Sequence, residues 1–226
     1  MKTIAIHQSQ YLPWPPYFKK IANSDIFIFL DNVQFQKNGV QNRNKLRNKE
    51  KDFWLTIPIN KKLDENIDQK KITDKHILKS HWKSIEQNYA KSKNWNEYKY
   101  LLNDLFMGEY DLLIDINQEL ISFFLRELDI QTELYQASTL NVSGKNNDLI
   151  IDICQQLNGD RYLTGMGALS YLNEDLFLRN DIKLVYLKSN PPVYKQVYNN
   201  FISGLSILDY FMNASKKEIN KYFTEE

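Results

Sequence analysis

The sequence predicts an α/β fold, with a mostly parallel open sheet flanked by helices and a helical insertion in the middle of the chain. Short apolar runs such as 3–6 and 26–30 each end abruptly in polar side chains, as strands do when their carboxyl ends carry a binding site. Amphipathic segments separate these runs, and such alternation indicates a parallel sheet. A long helical pattern over about 75–129 predicts a helical subdomain within a single α/β domain spanning 1–226.

The individual elements are predicted from local patterns in chain order. Strands are predicted where short apolar runs lie between turn signals, at 2–7, 25–31, 52–59, 131–136, 161–165 and 182–188. Helices are predicted where apolar residues recur with helical spacing, near 16–23, within 75–129, at 147–157 and in the end segment 206–213. Asn146 or Asn147 is the expected N-cap of the 147–157 helix. The Lys-, Asp- and Asn-rich link over 60–75 is predicted to be an exposed loop or hairpin.

Composition excludes several classes of function. Basic and acidic residues nearly cancel, 29 against 28, which argues against a dedicated nucleic-acid binder, because such proteins usually carry a strong basic excess. Cys154 is the only cysteine. An intramolecular disulfide and a cysteine-based zinc site are therefore excluded, and its apolar surroundings favour a buried structural thiol. We find no signal-peptide pattern and no apolar run of about 20 residues, and we expect a cytoplasmic protein without a membrane span.

His7 ends the first predicted strand and is the leading catalytic candidate. Imidazole is the usual general acid or base near neutral pH, although a histidine at the edge of the core can also be satisfied by a backbone carbonyl. The amide and aromatic residues that follow suit the orientation and stacking of a nucleotide or sugar. These substrate-binding candidates are Gln8, Gln10, Tyr11, Trp14 and Tyr17. The alternative is a Trp-Pro cluster that only closes the end of the sheet.

Asp31 ends the second predicted strand and is the second catalytic candidate. A carboxylate there can accept a hydrogen bond from a sugar hydroxyl or hold a metal ion, and it can equally cap the following turn. The polar loop beyond it supplies four more substrate-binding candidates, Gln34, Asn42, Arg43 and Asn44. Arg43 is the choice for a phosphate or carboxylate, because a guanidinium binds such groups through two hydrogen bonds. The basic residues crowded over 37–51 indicate either a solvated loop or an anion-binding patch.

Two later positions are also candidates for substrate binding. His81 lies on a predicted helix five residues after His76, too far around for the i, i+4 spacing of a metal-binding pair. We therefore expect no metal site and place His81 on the helix face toward the cleft. Gly165 opens a Gly-x-Gly turn after a predicted strand, which is similar to part of a phosphate-binding turn. A tight strand-to-helix connection would explain the two glycines as well.

Several motifs together are specific enough to indicate a family. They are HQSQYLPW at 7–14, QNRN at 41–44, YLTG at 162–165, PVY followed by Gln196, and LSILD at 205–209. These motifs resemble the WbqC-like family of bacteria, and the resemblance covers nearly the whole chain. The family loop usually reads HQPxYLPWxGY, whereas here Ser9 and Pro16 replace its first proline and its glycine. The departures leave the fold expectation intact and weaken the expectation of an identical substrate.

The resemblance implies a role in the biosynthesis of O-antigen and other surface polysaccharides. Enzymes in that setting act on nucleotide-linked sugars, commonly amino sugars that receive acyl or aminoacyl groups. The resemblance therefore implies a transferase or an amide-forming ligase, with Gln196 among the residues that bind the substrate. In that reaction His7 would be the base, and Arg43 would hold a phosphate or carboxylate. The alternative is a non-catalytic component of the same pathway that binds sugar nucleotides or assists assembly.

The expected partners follow from the same resemblance. They are a nucleotide sugar and, in a homodimer, a second copy of the chain, with no nucleic acid. The cofactor is not identified, and ATP or an acyl donor would serve the implied reaction. The opening strand, loop and helix are also similar to nucleotidylyltransferase-like folds, but the His-x-Gly-His pair of those folds is missing. That similarity is limited to the fold and assigns no activity.

Overall fold

The computed structural model describes residues 1–62 and 64–224, which divide into two compact units. The first, here called the sheet unit, is built from Met1–Gln8, Pro16–Val33 and Ile130–Asn190. The second, here called the helical unit, is built from Ser9–Pro15, Gln34–Asp129 and the described part of 191–226. Each unit therefore combines three segments that are far apart in the sequence.

The described residues form strands and helices in alternation, with three short 3-10 turns. The strands are β1 (Thr3–His7), β2 (Ile26–Phe29), β3 (Arg43–Arg47), β4 (Asp52–Thr56), β5 (Glu133–Gln136), β6 (Arg161–Gly165) and β7 (Lys183–Leu187). The α-helices are α1 (Pro15–Ala22), α2 (Ile77–Tyr89), α3 (Trp95–Met107), α4 (Leu113–Glu127), α5 (Asn147–Gln156), α6 (Glu174–Arg179), α7 (Ile207–Asn213) and α8 (Lys216–Thr224). The 3-10 turns are Ile67–Gln69, Ala137–Thr139 and Met166–Ser170. None of the described helices is long and apolar enough to span a bilayer.

The sheet unit contains five parallel strands in the order β5-β2-β1-β6-β7. This confirms the predicted α/β fold. From β1 the chain builds outward through β2 to β5, and it then returns to the other side of β1 to add β6 and β7. The direction of building therefore reverses between β1 and β6. In open α/β sheets, ligands bind outside the carboxyl ends of the strands at such a switch point.

Alternating side chains of the strands bury both faces of this sheet. Ile4 and Ile6 lie on the face whose core also contains residues of α5 and α6. Phe27 lies on the opposite face, where its ring centroid is 5.5 Å from that of Tyr17 in α1. The turn before β6 passes close to this core, because a Cβ on Gly159 would lie only 2.3 Å from Cγ1 of Ile4. Helices thus flank the sheet on both faces, as expected from the alternation of strands and helices.

The helical unit has an aromatic core of its own. The rings of Trp82 and Trp95 stack with centroids 5.4 Å apart, which joins α2 to α3. Phe124 of α4 and Phe211 of α7 meet edge to face at 5.3 Å, a geometry that aromatic rings favour. Every residue of α7 is buried. The helical pattern predicted over 75–129 is confirmed as α2, α3 and α4.

One predicted strand is placed differently from the expectation. The strand predicted over 52–59 forms as β4, but it pairs antiparallel with β3 in a separate two-stranded sheet. The sequence of β3, RNKLR, shows no apolar alternation, and so local patterns do not predict it. Its stability comes from pairing with β4, where for example Leu46 lies opposite Phe53. The described residues of the 60–75 link contain the 3-10 turn Ile67–Gln69 and single β-bridges. Ile67, Lys70 and Ile72 are buried, so the prediction that this link is exposed is wrong at these residues.

Two local predictions in the sheet unit are confirmed. Asn146 occupies the N-cap position of α5. Cys154 is fully buried in the core of this unit, and burial raises the pKa of its thiol to about 12. A thiol with such a pKa remains protonated near neutral pH, so Cys154 is a structural residue rather than a nucleophile.

Candidate functional site

The switch point of the sheet unit is flanked by two of the predicted site residues. β1 and β6 pair in parallel, with Ala5 opposite Leu163. Two residues further along each strand, His7 and Gly165 therefore come level at the carboxyl edge of the sheet. The strand order thus places both residues where doubly wound sheets bind their ligands.

His7 packs against α1 at this edge. Its ring centroid lies 5.1 Å from that of Tyr17, and the Tyr17 hydroxyl donates to the backbone oxygen of Gln8 at 3.1 Å. Burial, with a further contribution from the positive charge of Lys20, lowers the pKa of His7 from 6.5 to about 3. The imidazole is therefore neutral at pH 7, where it can donate or accept a hydrogen bond but is a weak general base. The structure brings three predicted residues together here, His7, Gln8 and Tyr17.

Lys20 is a candidate that sequence reasoning missed. It lies on α1, is only 7% exposed, and donates from Nζ to the backbone oxygen of Ile6 at 2.8 Å. Within the described residues no carboxylate lies at ion-pair distance from this amine. Burial lowers the pKa of Lys20 from 10.5 to about 7, so a large fraction of the amine is neutral near pH 7. Helical spacing was the signal that could have identified Lys20. It follows Tyr17 by three positions on α1, so the two side chains lie on the same face of that helix.

Asp31 is buried and bound within the sheet unit. It is 1% exposed, its Oδ1 accepts from the backbone N–H of Ser138 at 2.8 Å, and its Oδ2 accepts from the Ser138 hydroxyl at 2.6 Å. Both oxygens therefore hold the 3-10 turn Ala137–Thr139. This is a capping role, although the turn lies far along the chain rather than next to Asp31. Across residues 1–62 and 64–224, no group of three or more His, Cys, Asp or Glu residues is placed to hold a metal ion. The catalytic role of Asp31 stays a prediction.

Gly165 lies in open space at the end of β6. A Cβ on Gly165 or on Gly167 would meet no atom within 4 Å, so packing does not require glycine at either position. The segment that follows, Met166–Ser170, is a 3-10 turn, whereas a phosphate-binding turn opens a longer α-helix. The geometry therefore gives no specific support to phosphate binding by this turn, and the role of Gly165 stays a prediction.

The remaining predicted residues belong to the helical unit, where Tyr11 and His81 form a buried pair. The Tyr11 hydroxyl lies 2.8 Å from Nδ1 of His81, and the two residues are 0% and 5% exposed. Burial raises the pKa of Tyr11 and lowers that of His81 to about 4, so a neutral hydroxyl and a neutral imidazole share this hydrogen bond. The pair ties the Ser9–Pro15 segment to α2. His81 is thus engaged in the interior, and contact with a substrate stays a prediction.

Asn42 and Asn44 make hydrogen bonds to the backbone. Asn44 donates from Nδ2 to the backbone oxygen of Leu12 at 2.7 Å, which holds the Ser9–Pro15 segment against β3. Asn42 donates from Nδ2 to the backbone oxygen of Ile57 at 2.8 Å. These two amides therefore shape the loop around them. The oxygen of the Asn42 amide is a remaining acceptor for a ligand.

Arg43 is held in a fixed orientation on the same strand. It donates from Nε to the backbone oxygen of Gly39 at 3.2 Å and from Nη2 to that of Asn38 at 2.5 Å. Its guanidinium carbon lies 4.5 Å from the ring centroid of Trp54, a cation–π contact. Two of the three nitrogens are thus used inside the protein, and among the described residues Nη1 has no hydrogen-bond partner.

Asn42 and Arg43 line a cavity of about 440 Å³ in the helical unit. The residues described around it are Phe35, Lys37, Asn38, Asn42, Arg43, Thr56, Ile59, Asn60, Lys61, Lys62 and Lys70. Sequence reasoning named Asn42 and Arg43 as site residues and included Lys37 in the basic segment over 37–51. The lysines after 60 were not named, because they lie in a link predicted to be an exposed loop or hairpin. The density of lysine in that link was the signal that could have found them.

Three other candidates do not line this cavity. Gln10 is 6% exposed, whereas Trp14 is 37% exposed. Gln34 is exposed and forms a single antiparallel bridge with Asn66. Each of these three residues belongs to the helical unit, and their predicted contact with substrate stays a prediction.

Gln196 lies in a buried polar network. Arg47, which is fully buried, donates from Nη1 to Oε1 of Gln196 and to the backbone oxygen of Asn200, both at 2.5 Å. Gln196 in turn donates from Nε2 to the backbone oxygen of Ile202 at 2.8 Å. The amide therefore holds the 196–202 segment on β3, and its predicted role in substrate binding is not needed to explain its burial.

Asp209 completes this network. Its two carboxylate oxygens accept from the hydroxyls of Tyr89 and Tyr194 at 2.7 and 2.5 Å, and the Tyr89 hydroxyl accepts from the backbone N–H of Arg47 at 3.1 Å. Burial raises the pKa of Asp209, while the two tyrosine hydrogen bonds and the charge of Arg47 oppose that rise. The motif residues Tyr194, Gln196 and Asp209 thus meet in one interior cluster.

Comparison with known proteins identifies similar chains. A family model described as the WbqC-like protein family matches residues 8–221. The uncharacterized protein Rv1507c of Mycobacterium tuberculosis is 29% identical over 218 residues, which cover 95% of this chain and 94% of that protein. No solved structure shows a significant match.

Proposed function

This chain belongs to the WbqC-like protein family, and on that basis we propose that it is a cytoplasmic enzyme of bacterial surface-polysaccharide (O-antigen) biosynthesis. In this proposal it transfers an acyl or aminoacyl group to the amine of a nucleotide-linked amino sugar. The observation that carries the proposal is the placement of His7, Tyr17 and Lys20 at the switch point of the parallel sheet.

The strand order supports a nucleotide-linked substrate. Ligands of doubly wound sheets, dinucleotides among them, bind in the crevice outside the carboxyl ends at the switch point. Here that position lies between the ends of β1 and β6, beside His7 and Gly165. The open space around Gly165 leaves room for a ligand to approach the backbone. We place the amino sugar at this edge of the sheet unit.

The properties of Lys20 and His7 suit a transfer to nitrogen. A sugar ammonium must lose a proton before its nitrogen can attack, and Lys20, with a pKa of about 7, accepts that proton as a neutral amine. The freed nitrogen attacks the carbonyl carbon of an activated acyl donor. A C–N bond forms as the bond to the leaving group breaks. The leaving group departs with the electron pair and takes up the second proton, which the attacking nitrogen loses. Neutral His7 acts as a hydrogen-bonding group that orients the substrate. The base is therefore assigned to Lys20 instead of His7.

The non-catalytic alternative is favoured by the state of Asp31. Both of its oxygens are bound by Ser138, so one of the two groups predicted to perform chemistry serves a structural purpose. A component that only binds a sugar nucleotide would need the pocket and no proton acceptor. The two functions differ in whether Lys20 is needed for turnover.

Ligand-induced thermal stabilisation is the first test of the proposed function. The full chain is screened against dTDP-, UDP- and GDP-linked sugars, ATP and acyl-CoA, because a ligand that binds only the folded state raises the melting temperature. Stabilisation by a nucleotide sugar together with acyl-CoA supports an acyltransferase, and stabilisation by a nucleotide sugar together with ATP supports a ligase. Failure of every nucleotide sugar to stabilise the protein would contradict the proposal.

Turnover then separates the enzyme from the binding component. With the stabilising pair of ligands, the acylated sugar is measured by mass spectrometry for the wild type, Lys20→Met and the matched control Lys183→Met, whose lysine is exposed on β7. Loss of a general base typically lowers the rate by about 10²–10⁴-fold, so Lys20→Met is expected to show that loss while its nucleotide-sugar stabilisation persists. Equal turnover in Lys20→Met and the wild type would refute the assignment of the base.

A further inference from the structure

The cavity of the helical unit is strongly cationic. Among its eleven described lining residues none is acidic and five are basic, Lys37, Arg43, Lys61, Lys62 and Lys70. Glu65 compensates part of this charge, because its carboxylate lies 3.3 Å from Nζ of Lys62 and 3.7 Å from Nζ of Lys70. Lys37, Arg43 and Lys61 have no ion-pair partner among the residues described. The cavity wall therefore retains an uncompensated positive charge.

One of these basic residues, Lys70, is buried beside the cavity. It is only 2% exposed, its Nζ donates to the backbone oxygen of Lys62, and this nitrogen lies 5.4 Å from the ring centroid of Phe35. A buried ammonium is costly unless hydrogen bonds and an opposite charge surround it. Glu65 stands at ion-pair distance but beyond a normal hydrogen bond. An anion in the cavity would supply hydrogen-bond acceptors in addition to the backbone oxygen of Lys62.

The guanidinium of Arg43 is already held in place before any ligand binds. Its Nε and Nη2 are held by the backbone oxygens of Gly39 and Asn38, and its plane is supported by Trp54. Its Nη1 makes no hydrogen bond with the part of the chain that the structure describes. A guanidinium that is already fixed loses little conformational entropy when it binds an oxyanion.

We propose that this cavity is a binding site for a ligand that carries a diphosphate group. A volume of about 440 Å³ exceeds what a single phosphate occupies and falls in the range of small-molecule sites. One phosphate carries about two negative charges at pH 7, fewer than the charges gathered here. The amide of Asn42 and the ring of Phe35 provide contacts for the organic group attached to the diphosphate. This site lies in the helical unit and does not depend on the reaction proposed for the sheet unit.

Isothermal titration of the full chain with inorganic pyrophosphate, inorganic phosphate and UDP tests the site. Pyrophosphate is expected to bind with a stoichiometry of one, at least tenfold more tightly than phosphate. The double variant Lys61→Ser/Lys62→Ser is expected to weaken pyrophosphate binding at least tenfold, because both exposed lysines line the cavity. The matched control Lys49→Ser/Lys51→Ser removes two exposed lysines outside the cavity and should change the affinity less than twofold. UDP binding more tightly than pyrophosphate would identify a nucleotide as the ligand class, and equal binding would identify the diphosphate itself.

Three outcomes would overturn the proposal. The first is absence of pyrophosphate and UDP binding to the wild type. The second is equal weakening by the cavity pair and the control pair, which would indicate general surface charge. The third is a loss of pyrophosphate binding in Lys20→Met instead of the cavity pair, which would place the anion in the sheet unit. Failure of the acyl transfer with intact binding at the cavity would refute only the proposed reaction.

Discussion

A buried amine beside a buried imidazole is the most distinctive chemical feature at the scale of single residues. Lys20 and His7 are both drawn toward their neutral forms by burial, and the charge of Lys20 further disfavours protonation of His7. A neutral amine can accept a proton from a substrate ammonium near neutral pH, and a neutral imidazole can donate or accept a hydrogen bond there. Lys20 is held near His7 because its Nζ donates to the backbone oxygen of Ile6, the residue before His7 on β1.

The pKa of Lys20 predicts an unusual pH dependence of stability. In the unfolded chain a lysine titrates near 10.4, and in the folded protein Lys20 titrates at about 7. Between these values the unfolded state binds more protons, so the free energy of unfolding rises with pH. From pH 7 to pH 9 this contribution is about 2 kcal/mol. Urea denaturation at pH 7, 8 and 9 measures it.

Lys20→Met should remove this rise, whereas the exposed Lys183→Met control should retain it. A lysine side chain and a methionine have similar apolar stems, and so the variant keeps most of the packing around α1. An unchanged pH slope in Lys20→Met would show that the amine is charged in the folded protein.

At the scale of elements, α7 depends on the polar network around Asp209. Every residue of this helix is buried. The carboxylate of Asp209 accepts hydrogen bonds from the hydroxyls of Tyr89 in α2 and Tyr194 in the 191–206 segment. A buried carboxylate of this kind is stable only while its acceptor capacity is filled. The network therefore determines how the C-terminal part of the chain attaches within the helical unit.

Asp209→Asn should destabilise the protein. The amide nitrogen of asparagine is a donor, and it would face a tyrosine hydroxyl that now donates to the carboxylate. Leaving such a buried group unsatisfied costs about 1–3 kcal/mol, which the midpoint of urea denaturation reports. Asp115→Asn is the matched control, because Asp115 is exposed in the first turn of α4 and such surface changes usually stay within about 0.5 kcal/mol. Equal effects of the two substitutions would contradict the role of the network.

Local patterns predicted the elements that carry their own signal. β1 and β2 are short apolar runs with polar ends, and α2 to α4 have regular apolar spacing, so these were found from sequence. β3 was missed because its five residues include three basic ones, and only pairing with β4 and the stacking of Arg43 on Trp54 makes it a strand. Such tertiary stabilisation leaves no trace in the local sequence.

The candidate site was predictable only where its residues are close in sequence. His7, Gln8 and Tyr17 lie within eleven positions of one another, and the structure brings them together. The assignment of Arg43 to the helical unit was not predictable, because that unit is assembled by pairings such as Tyr11 with His81, 70 positions apart. The role of Lys20 was also hidden, since desolvation depends on the packing of the whole unit.

At the scale of the whole molecule, the two units have separate cores, and this predicts a local response to a core substitution. Phe211 is 1% exposed and lies 4.5 Å from Tyr98 and 5.3 Å from Phe124 by ring centroids. Phe211→Ala should cost about 3–5 kcal/mol. Hydrogen exchange should show lost protection in α3, α4 and α7, while the amides of β1, β2 and β6 keep theirs. Equal loss in both sets would show that the molecule unfolds as one cooperative whole.

The threefold interleaving of the chain also determines when each unit can form during synthesis. β1 is made well before its neighbour β6, which begins only after residue 160. The helical unit waits still longer, for α7 at Ile207–Asn213. Contacts of such large sequence separation form slowly, because long loops must close first. The sheet unit therefore cannot be completed before β7 has been made, nor the helical unit before α7 has been made. Until then the nascent protein must keep its apolar strands from aggregating.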